Sequence, residues 1–281
     1  MPTRRARTAL IYDFDGTLAQ GNIQEHSFIP ELGVKATTFW HEVDELARRH
    51  DADKIAVYLW HMLEVAKAKG VTITRASLKR HGRKTPLYAG LDTWFDRINR
   101  YGRTHQLALE HYVISSGNYE LIAGCPIVQR FKNVFASRYL FDKKGNAVWP
   151  ASVINYTTKT QFLFRINKGI ENTWDDSKIN RWIPLAERPI PFERIIFIGD
   201  GDTDIPSFKT VRNQGGYSVA VFDPIQWPTA KTQTHVERLI AEDRAHYVVP
   251  ADYREGSQLA VTVKGLIGRI AREVGYRGDT E

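Results

Sequence analysis

Short, unbroken apolar runs punctuate the chain. Thr8–Tyr12 (TALIY), His111–Ile114 (HYVI), Ile195–Ile198 (IIFI), Tyr217–Phe222 (YSVAVF) and His246–Val249 (HYVV) each give way to polar or turn residues. A strand buried on both faces of a parallel sheet reads this way, with polar chemistry at its carboxyl end. Helix-length segments separate the runs, and this alternation predicts an open, doubly wound α/β sheet. From about Gln20 to Gln106 the rhythm changes. Phe39, Val43 and Leu46, then Ile55, Leu59, Leu63 and Ala66, then Leu91, Trp94, Phe95 and Ile98 recur at helical spacing, with no clear strand between them. A mostly helical insertion is expected there, its stripe residues (Trp40 and Trp60 included) in the core. The tail AREVGYRGDTE is expected to fray. No internal repeat or low-complexity tract is present.

Composition narrows the class without deciding it. At 281 residues, 42% hydrophobic and 25% charged, the chain is globular, with room for one large domain or two modest ones. No apolar run approaches the ~20 residues of a membrane helix. The start MPTRRARTAL is basic, but Asp13 breaks the short apolar stretch behind it, so no secretory signal is expected and the chain reads as cytoplasmic. One cysteine, Cys125, permits no internal disulfide and fits a reducing compartment. Lys and Arg number 39 against 32 acids, a net charge of +7. The positive residues are scattered, with concentrations at Arg4, Arg5 and Arg7 and at Lys79, Arg80, Arg83 and Lys84. That is the pattern of a solvated surface rather than of a binding stripe.

The chemistry sits where strands end. Asp13-Phe14-Asp15-Gly16-Thr17 follows the first strand, Ser115-Ser116-Gly117-Asn118 the second, and Gly199-Asp200-Gly201-Asp202-Thr203-Asp204 a later one. In an open parallel sheet, ligands bind outside the carboxyl ends of the strands, so the three segments are expected to share one crevice. Carboxylates crowded together repel and raise one another's pKa unless a cation is present. All-oxygen ligands with no neighbouring His or Cys cluster favour Mg²⁺ over Zn²⁺, and Mg²⁺ in turn favours a phosphate ester as guest. Asp13 and Asp15 alternate as they leave a strand and so share a side. One could attack phosphorus while the other handles protons. Ser115 can donate to a phosphate oxygen, and Gly117 and Gly201 let the backbone approach closely. The lysine needed to balance the charge is Lys159, Lys168 or Lys178.

DFDGT, a strand ending in Ser, a Lys and GDGDTD, in that order, resemble the four-motif signature of the haloacid dehalogenase superfamily, above all its phosphoserine-phosphatase-like branch. The motifs cover few residues, but their order and spacing span nearly the whole chain. The resemblance implies a Rossmann-like catalytic core over 1–19 and 107–281, with a helical cap over 20–106. It implies Asp13 as nucleophile and Asp15 as general acid and then base. Ser115, with Ser116 and Gly117, would bind phosphate. Mg²⁺ would be held by Asp13, the backbone carbonyl of Asp15 and Asp200, with Asp204 supporting. A carboxylate at Asp15 favours a phosphatase over a dehalogenase. The family lysine opens a helix, which fits Lys159 in TKTQFLFRINKG, and the longer reach to Asp200 implies an insertion around Glu171–Pro191. Between Asn118 and Lys159 there is room for a short helix and a hairpin turning at FDKKGN. The chain departs from phosphoserine phosphatases in carrying Asn22 nine residues after the nucleophile, where they keep a glutamate for the substrate ammonium; Glu25 is near but out of register.

The expected activity is Mg²⁺-dependent hydrolysis of a small phosphorylated metabolite through an aspartyl-phosphate. A cap over the site disfavours a polymeric nucleic acid, and no membrane partner is expected. Alternatives are a phosphotransferase of the same chemistry and a phospho-accepting switch. Receiver-type switches, however, are about half this length and lack a cap. Cys125 and Arg130 are one residue too close for a cysteine-phosphatase loop, so Cys125 is expected to be a packed thiol. Asp202 is expected to support the ligands from behind or to be an exposed turn residue, rather than to be a ligand itself.

Overall fold

Residues Ala9 to Tyr12 have no solvent exposure, as a strand between two layers requires. The computed structural model describes residues 5–278, so the basic residue Arg4 lies outside the described residues. Strand β1 (Ala6–Tyr12) leads into five helices: α1 (Phe28–Glu31), α2 (Ala36–His50), α3 (Lys54–Ala68), α4 (Arg75–Gly82) and α5 (Leu91–Thr104). Then come β2 (Leu107–Asn118), α6 (Tyr119–Ile122), β3 (Asn133–Phe141), β4 (Ala147–Ser152), α7 (Thr158–Asn167) and α8 (Asp176–Asn180). The chain ends with β5 (Ile195–Gly199), α9 (Ile205–Asn213), β6 (Tyr217–Phe222), α10 (Ala230–Ala241), β7 (Tyr247–Pro250) and α11 (Gln258–Gly278).

The strands form one sheet in the order β4-β3-β2-β1-β5-β6-β7, parallel except for β4. Strand order reverses at β1, which pairs with β2 on one side and β5 on the other. Tyr12 stands level with both Val113 and Ile198, so Asp13, Ser115 and Asp200 all emerge at the same end of the sheet. That is the switch point where open α/β sheets bind ligands. Alternation along β1 divides the core. Leu10 and Tyr12 face a layer shared with α2 to α5 and α11, and Ala9 and Ile11 face one built around Phe162, Ile166, Phe208 and Leu239.

Helix α5 lies against β2 and the back of β1. There Trp94 Nε1 donates to the Tyr12 hydroxyl (3.0 Å), Tyr12 bonds His111 Nδ1 (3.0 Å), and His111 Nε2 bonds Asn99 Oδ1 (3.1 Å). This buried chain satisfies each member and ties α5 to the strand that carries Asp13. Burial lowers the His111 pKa from 6.5 to about 3. The unfolded chain therefore takes up a proton below 6.5 that the folded protein refuses until about 3, so stability is lost as pH falls through that window. The expected slope is about 1.4 kcal/mol per pH unit from this one group. Urea melts of His111→Gln should show a slope one proton shallower than wild type between about pH 6.5 and 5; equal slopes would refute the assignment.

The hairpin of β3 and β4, closed at Asp142–Asn146, grips the helices inserted after β1. Tyr139 donates its hydroxyl to the Leu59 carbonyl (2.7 Å), Ala147 N donates to the Ile73 carbonyl (2.8 Å), and the Arg75 guanidinium sits 3.9 Å from the Phe141 ring centre. Two expectations fail here. Trp60 is 37% exposed and lies outside the core, at a groove that also contains Trp149, because the α3 stripe turns it away from Leu59 and Met62. The tail expected to fray continues α11 over Ala271–Gly278, with apolar Ile267 and Ile270 anchoring that helix on the sheet layer, and Asp279–Glu281 lie outside the described residues. Cys125 is buried in the same layer, and burial raises its pKa to about 11, as a packed thiol requires. Among the described residues no helix is long and apolar enough to cross a membrane.

Candidate active site

Asp13 leaves β1 buried, its backbone N–H bonded to the Ile198 carbonyl (2.9 Å) and its Oδ1 accepting from Phe14 N (2.7 Å). Its Oδ2 lies 2.8 Å from Lys159 Nζ. Lys159, in the first turn of α7, has no solvent exposure, and its ammonium also donates to Asp204 Oδ1 (2.7 Å) and Thr203 Oγ1 (3.2 Å). Burial opposes that charge, but Asp13 and Asp204 outweigh it and hold the Lys159 pKa above its ordinary value. Of the three candidate lysines, this is the one in the cluster. Lys168 Nζ donates to the Ile179 and Arg181 carbonyls, and Lys178 pairs with Asp175 on the surface. Both serve the insertion expected around Glu171–Pro191, which is a run of short turns with α8.

Asp15 is set apart from that cluster. Its Oδ1 accepts from Ile23 N (2.9 Å), and its Oδ2 faces Gly117, where an added Cβ would come within 3.1 Å of it and 3.2 Å of Ser115 Oγ. The strand irregularity after Ser115 produces this approach: Ser115 pairs with Ala136 and Asn118 with Ser137, so Ser116 and Gly117 swing out of the ladder. Gly117 N donates to Ser115 Oγ (3.0 Å), and the Ser116 carbonyl accepts from Tyr58 on α3 (2.8 Å). Burial first, and then Asp13, push the Asp15 carboxyl up to about 8, so it carries a proton near neutrality.

Carboxylate oxygens of Asp13, Asp200 and Asp204 lie within 4.8 Å of one another. Asp200 presses against Gly16, whose φ of +71° and close approach leave no room for a Cβ. Among the described residues the Asp200 carboxylate accepts no hydrogen bond. Burial and the neighbouring Asp13 and Asp204 raise its pKa well above the ordinary range, and burial and Asp13 raise Asp204 to about 7. A half-buried carboxylate that accepts no hydrogen bond from the described residues, set beside two buried ones, is a donor set that a hard divalent cation such as Mg²⁺ fits. The Asp15 carboxylate lies outside this group. Asp202 is an exposed turn residue paired with Arg238, and His235 Nε2 bonds the Asp200 carbonyl (3.2 Å).

Three residues near the site carried no signal of their own in the sequence. Tyr58 is hidden in a helical stripe, Tyr88 in the turn before α5, and His235 on a polar helix. Glu25, out of register with Asn22, accepts from both Asn22 Nδ2 (2.6 Å) and Trp40 Nε1 (2.5 Å). A cavity of about 670 Å³ opens beside Gly16 and Asp200, walled by Glu25, Tyr88 and the segment from Phe222 to His235.

The fold is that of the haloacid dehalogenase hydrolases and phosphoserine phosphatases. A haloacid dehalogenase family hydrolase from Salmonella enterica serovar Typhi superposes with a TM-score of 0.57 at 15% identity, covering 94% of this chain and 72% of that one. A phosphoserine phosphatase in apo form gives 0.56 at 16% identity, covering 89% and 96%. A phosphoserine phosphatase studied as a phospho-aspartyl intermediate analogue gives 0.53 at 17%, covering 93% and 99%. In sequence, an uncharacterised protein of Borreliella burgdorferi is 29% identical over 237 residues, 76% of this chain and 81% of that protein. No protein-family model matches the chain.

Proposed function

We propose that the protein is a Mg²⁺-dependent phosphomonoester hydrolase that passes the phosphoryl group through Asp13. The observation that carries this reading is the Lys159 ammonium, buried between Asp13 and Asp204 with the unbonded Asp200 carboxylate alongside. The capture of a phosphoserine phosphatase neighbour as a phospho-aspartyl intermediate analogue supports it.

In the first step an oxygen of Asp13 forms a bond to phosphorus and the bond to the leaving-group oxygen breaks. The proton held by Asp15 goes to that oxygen, so the alcohol departs neutral. In the second, a water oxygen attacks phosphorus, its proton returns to Asp15, and the Asp13–phosphorus bond breaks to release phosphate. The raised pKa of Asp15 suits it to begin as the acid. Ser115 Oγ, already accepting from Gly117 N, keeps its own hydrogen for a phosphate oxygen, and the displaced Ser116–Gly117 backbone provides the approach. Lys159 offsets the charge gathered on Asp13 and the phosphate. Mg²⁺, held by Asp13, the Asp15 carbonyl and Asp200 with Asp204 in support, would neutralise charge developing on the phosphoryl oxygens. We assign the cap to the helical insertion over 20–106, where Tyr58 bonded to the Ser116 carbonyl helps exclude water. A small phosphorylated metabolite fits beneath it.

The test is hydrolysis of p-nitrophenyl phosphate with Mg²⁺ and with EDTA, together with thermal melts. Turnover is expected only with metal, and its absence across a metabolite-phosphate panel would refute the reading. In the metal-free protein, Asp15 and Asp204 are raised from 3.8 to about 8 and about 7. Stability from these groups is therefore lost as pH climbs through those values. Mg²⁺ should raise the Tm more at about pH 8.5 than at about pH 6.

A further inference from the structure

The turn that carries Asp200 is braced from the helix of the neighbouring strand. Strand β6 lies beside β5, and α10, which follows β6, reaches back to the end of β5. Val236 and Leu239 bury one side of α10, while His235 and Arg238, three residues apart, share the face that meets residues 200–202. His235 Nε2 lies 3.2 Å from the Asp200 carbonyl. Arg238 pairs with Asp202 and also lies 3.4 Å from His235 Nδ1. A guanidinium can only donate, so Nδ1 is the acceptor of that contact and the ring hydrogen sits on Nε2, where it is given to the carbonyl. The Asp202 carboxylate stands 4.0 Å from Nδ1, too far to take a hydrogen from it.

The Asp200 carboxylate itself accepts no hydrogen bond among the described residues and leans on Gly16, where the missing Cβ makes room for it. What fixes Asp200 is the peptide that follows it. Its carbonyl is held by His235, and its N–H, that of Gly201, is directed at Asp204 Oδ2 (3.4 Å). With glycine on its far side, this peptide would otherwise turn freely. Groups that orient a metal ligand from behind reduce the rearrangement that binding requires, and their loss weakens the metal site without removing a ligand. His235, Arg238 and Asp202 form such a backing, with the exposed Asp202 as its outer end and not as a ligand.

We propose that His235 is a positioning residue for the cation site, holding the Asp200 peptide so that the carboxylate is set for a divalent ion, with Arg238 and Asp202 fixing its tautomer. The proposal rests on the cation site of the hydrolase reading above. It is tested in wild type, His235→Ala, His235→Gln and Arg238→Met by two titrations. One is Mn²⁺ binding, with the free ion followed by electron paramagnetic resonance; the site counted is the one that Asp200→Asn abolishes. The other is the Mg²⁺ dependence of p-nitrophenyl phosphate hydrolysis. His235→Ala should weaken Mn²⁺ binding about tenfold and raise the Mg²⁺ needed for half-maximal turnover by the same factor, with most of kcat regained at saturating Mg²⁺. His235→Gln, which keeps an N–H donor at similar reach, should bind Mn²⁺ within about twofold of wild type. Arg238→Met should weaken binding in the same direction and add nothing in the His235→Ala background, because the two act through one hydrogen bond. It also provides the readout should His235→Ala fail to fold. Unchanged affinity in His235→Ala, or an equal loss in His235→Gln, overturns the positioning role while aryl phosphate turnover keeps the hydrolase reading intact. Wild type that binds Mn²⁺ at this site but turns nothing over removes the hydrolase reading and leaves the positioning role to the Mn²⁺ titration. No Mn²⁺ bound at this site by wild type overturns the proposal.

Discussion

Asp13→Asn is expected to lower Mg²⁺-dependent phosphomonoester hydrolysis by on the order of 10⁴-fold or more while the metal-free protein melts within a few degrees of wild type. The amide is nearly isosteric with the carboxylate but is a poor nucleophile, so no covalent intermediate forms. Stability responds differently because Lys159 is shared: it loses one partner at 2.8 Å but keeps Asp204 at 2.7 Å. Asp200 and Asp204 meanwhile lose a like charge that raises their pKa values. Steady-state kinetics and a thermal melt of the same preparation check both parts. Residual activity above about 1% of wild type would exclude Asp13 as the attacking group.

Lys159→Met should be the most destabilising change in the site. The side chain has no exposure and its ammonium is the counter-charge to two buried carboxylates. Removing one partner of a buried charge cluster costs about 3–5 kcal/mol, because the remaining charges are left uncompensated. Adding Asp204→Asn should return part of the loss, since neutralising an orphaned partner couples the two sites. Denaturant melts of both single variants and the double variant close that cycle. Strict additivity would show that Lys159 and Asp204 do not depend on each other.

Much of this was legible in the chain, for identifiable reasons. Runs such as TALIY and IIFI are buried on both faces, so composition alone marks them as β1 and β5. The hairpin announced by FDKKGN closes at Gly145, and Lys159 opens a helix as its apolar neighbours Phe162, Leu163 and Ile166 suggest. What stayed hidden depends on folding distance. Nothing local tells Lys159 from Lys168; only the packing of α7 against the sheet points one ammonium at Asp13 and the other at surface carbonyls. Glu25 stands out of register with the position nine residues after Asp13, and only the fold shows that its carboxylate is held by Asn22 and Trp40 at the wall of the cavity beside Gly16. Tyr58 and Tyr88 belong to no motif in the chain; both are buried, and only the fold shows that the Tyr58 hydroxyl meets the Ser116 carbonyl.

The grip of the β3–β4 hairpin on the inserted helices has a mechanical consequence. A body hung from two strands can swing about the line joining them, but a third attachment removes that freedom. Tyr139 on Leu59, Ala147 on Ile73 and Arg75 on Phe141 form such a third mount, on the far side of β2 from β5. On the proposed reading, substrates are therefore expected to reach the aspartates through a standing port rather than a swinging door. The size of that port, and not the stiffness of a hinge, becomes the gauge of what can be admitted.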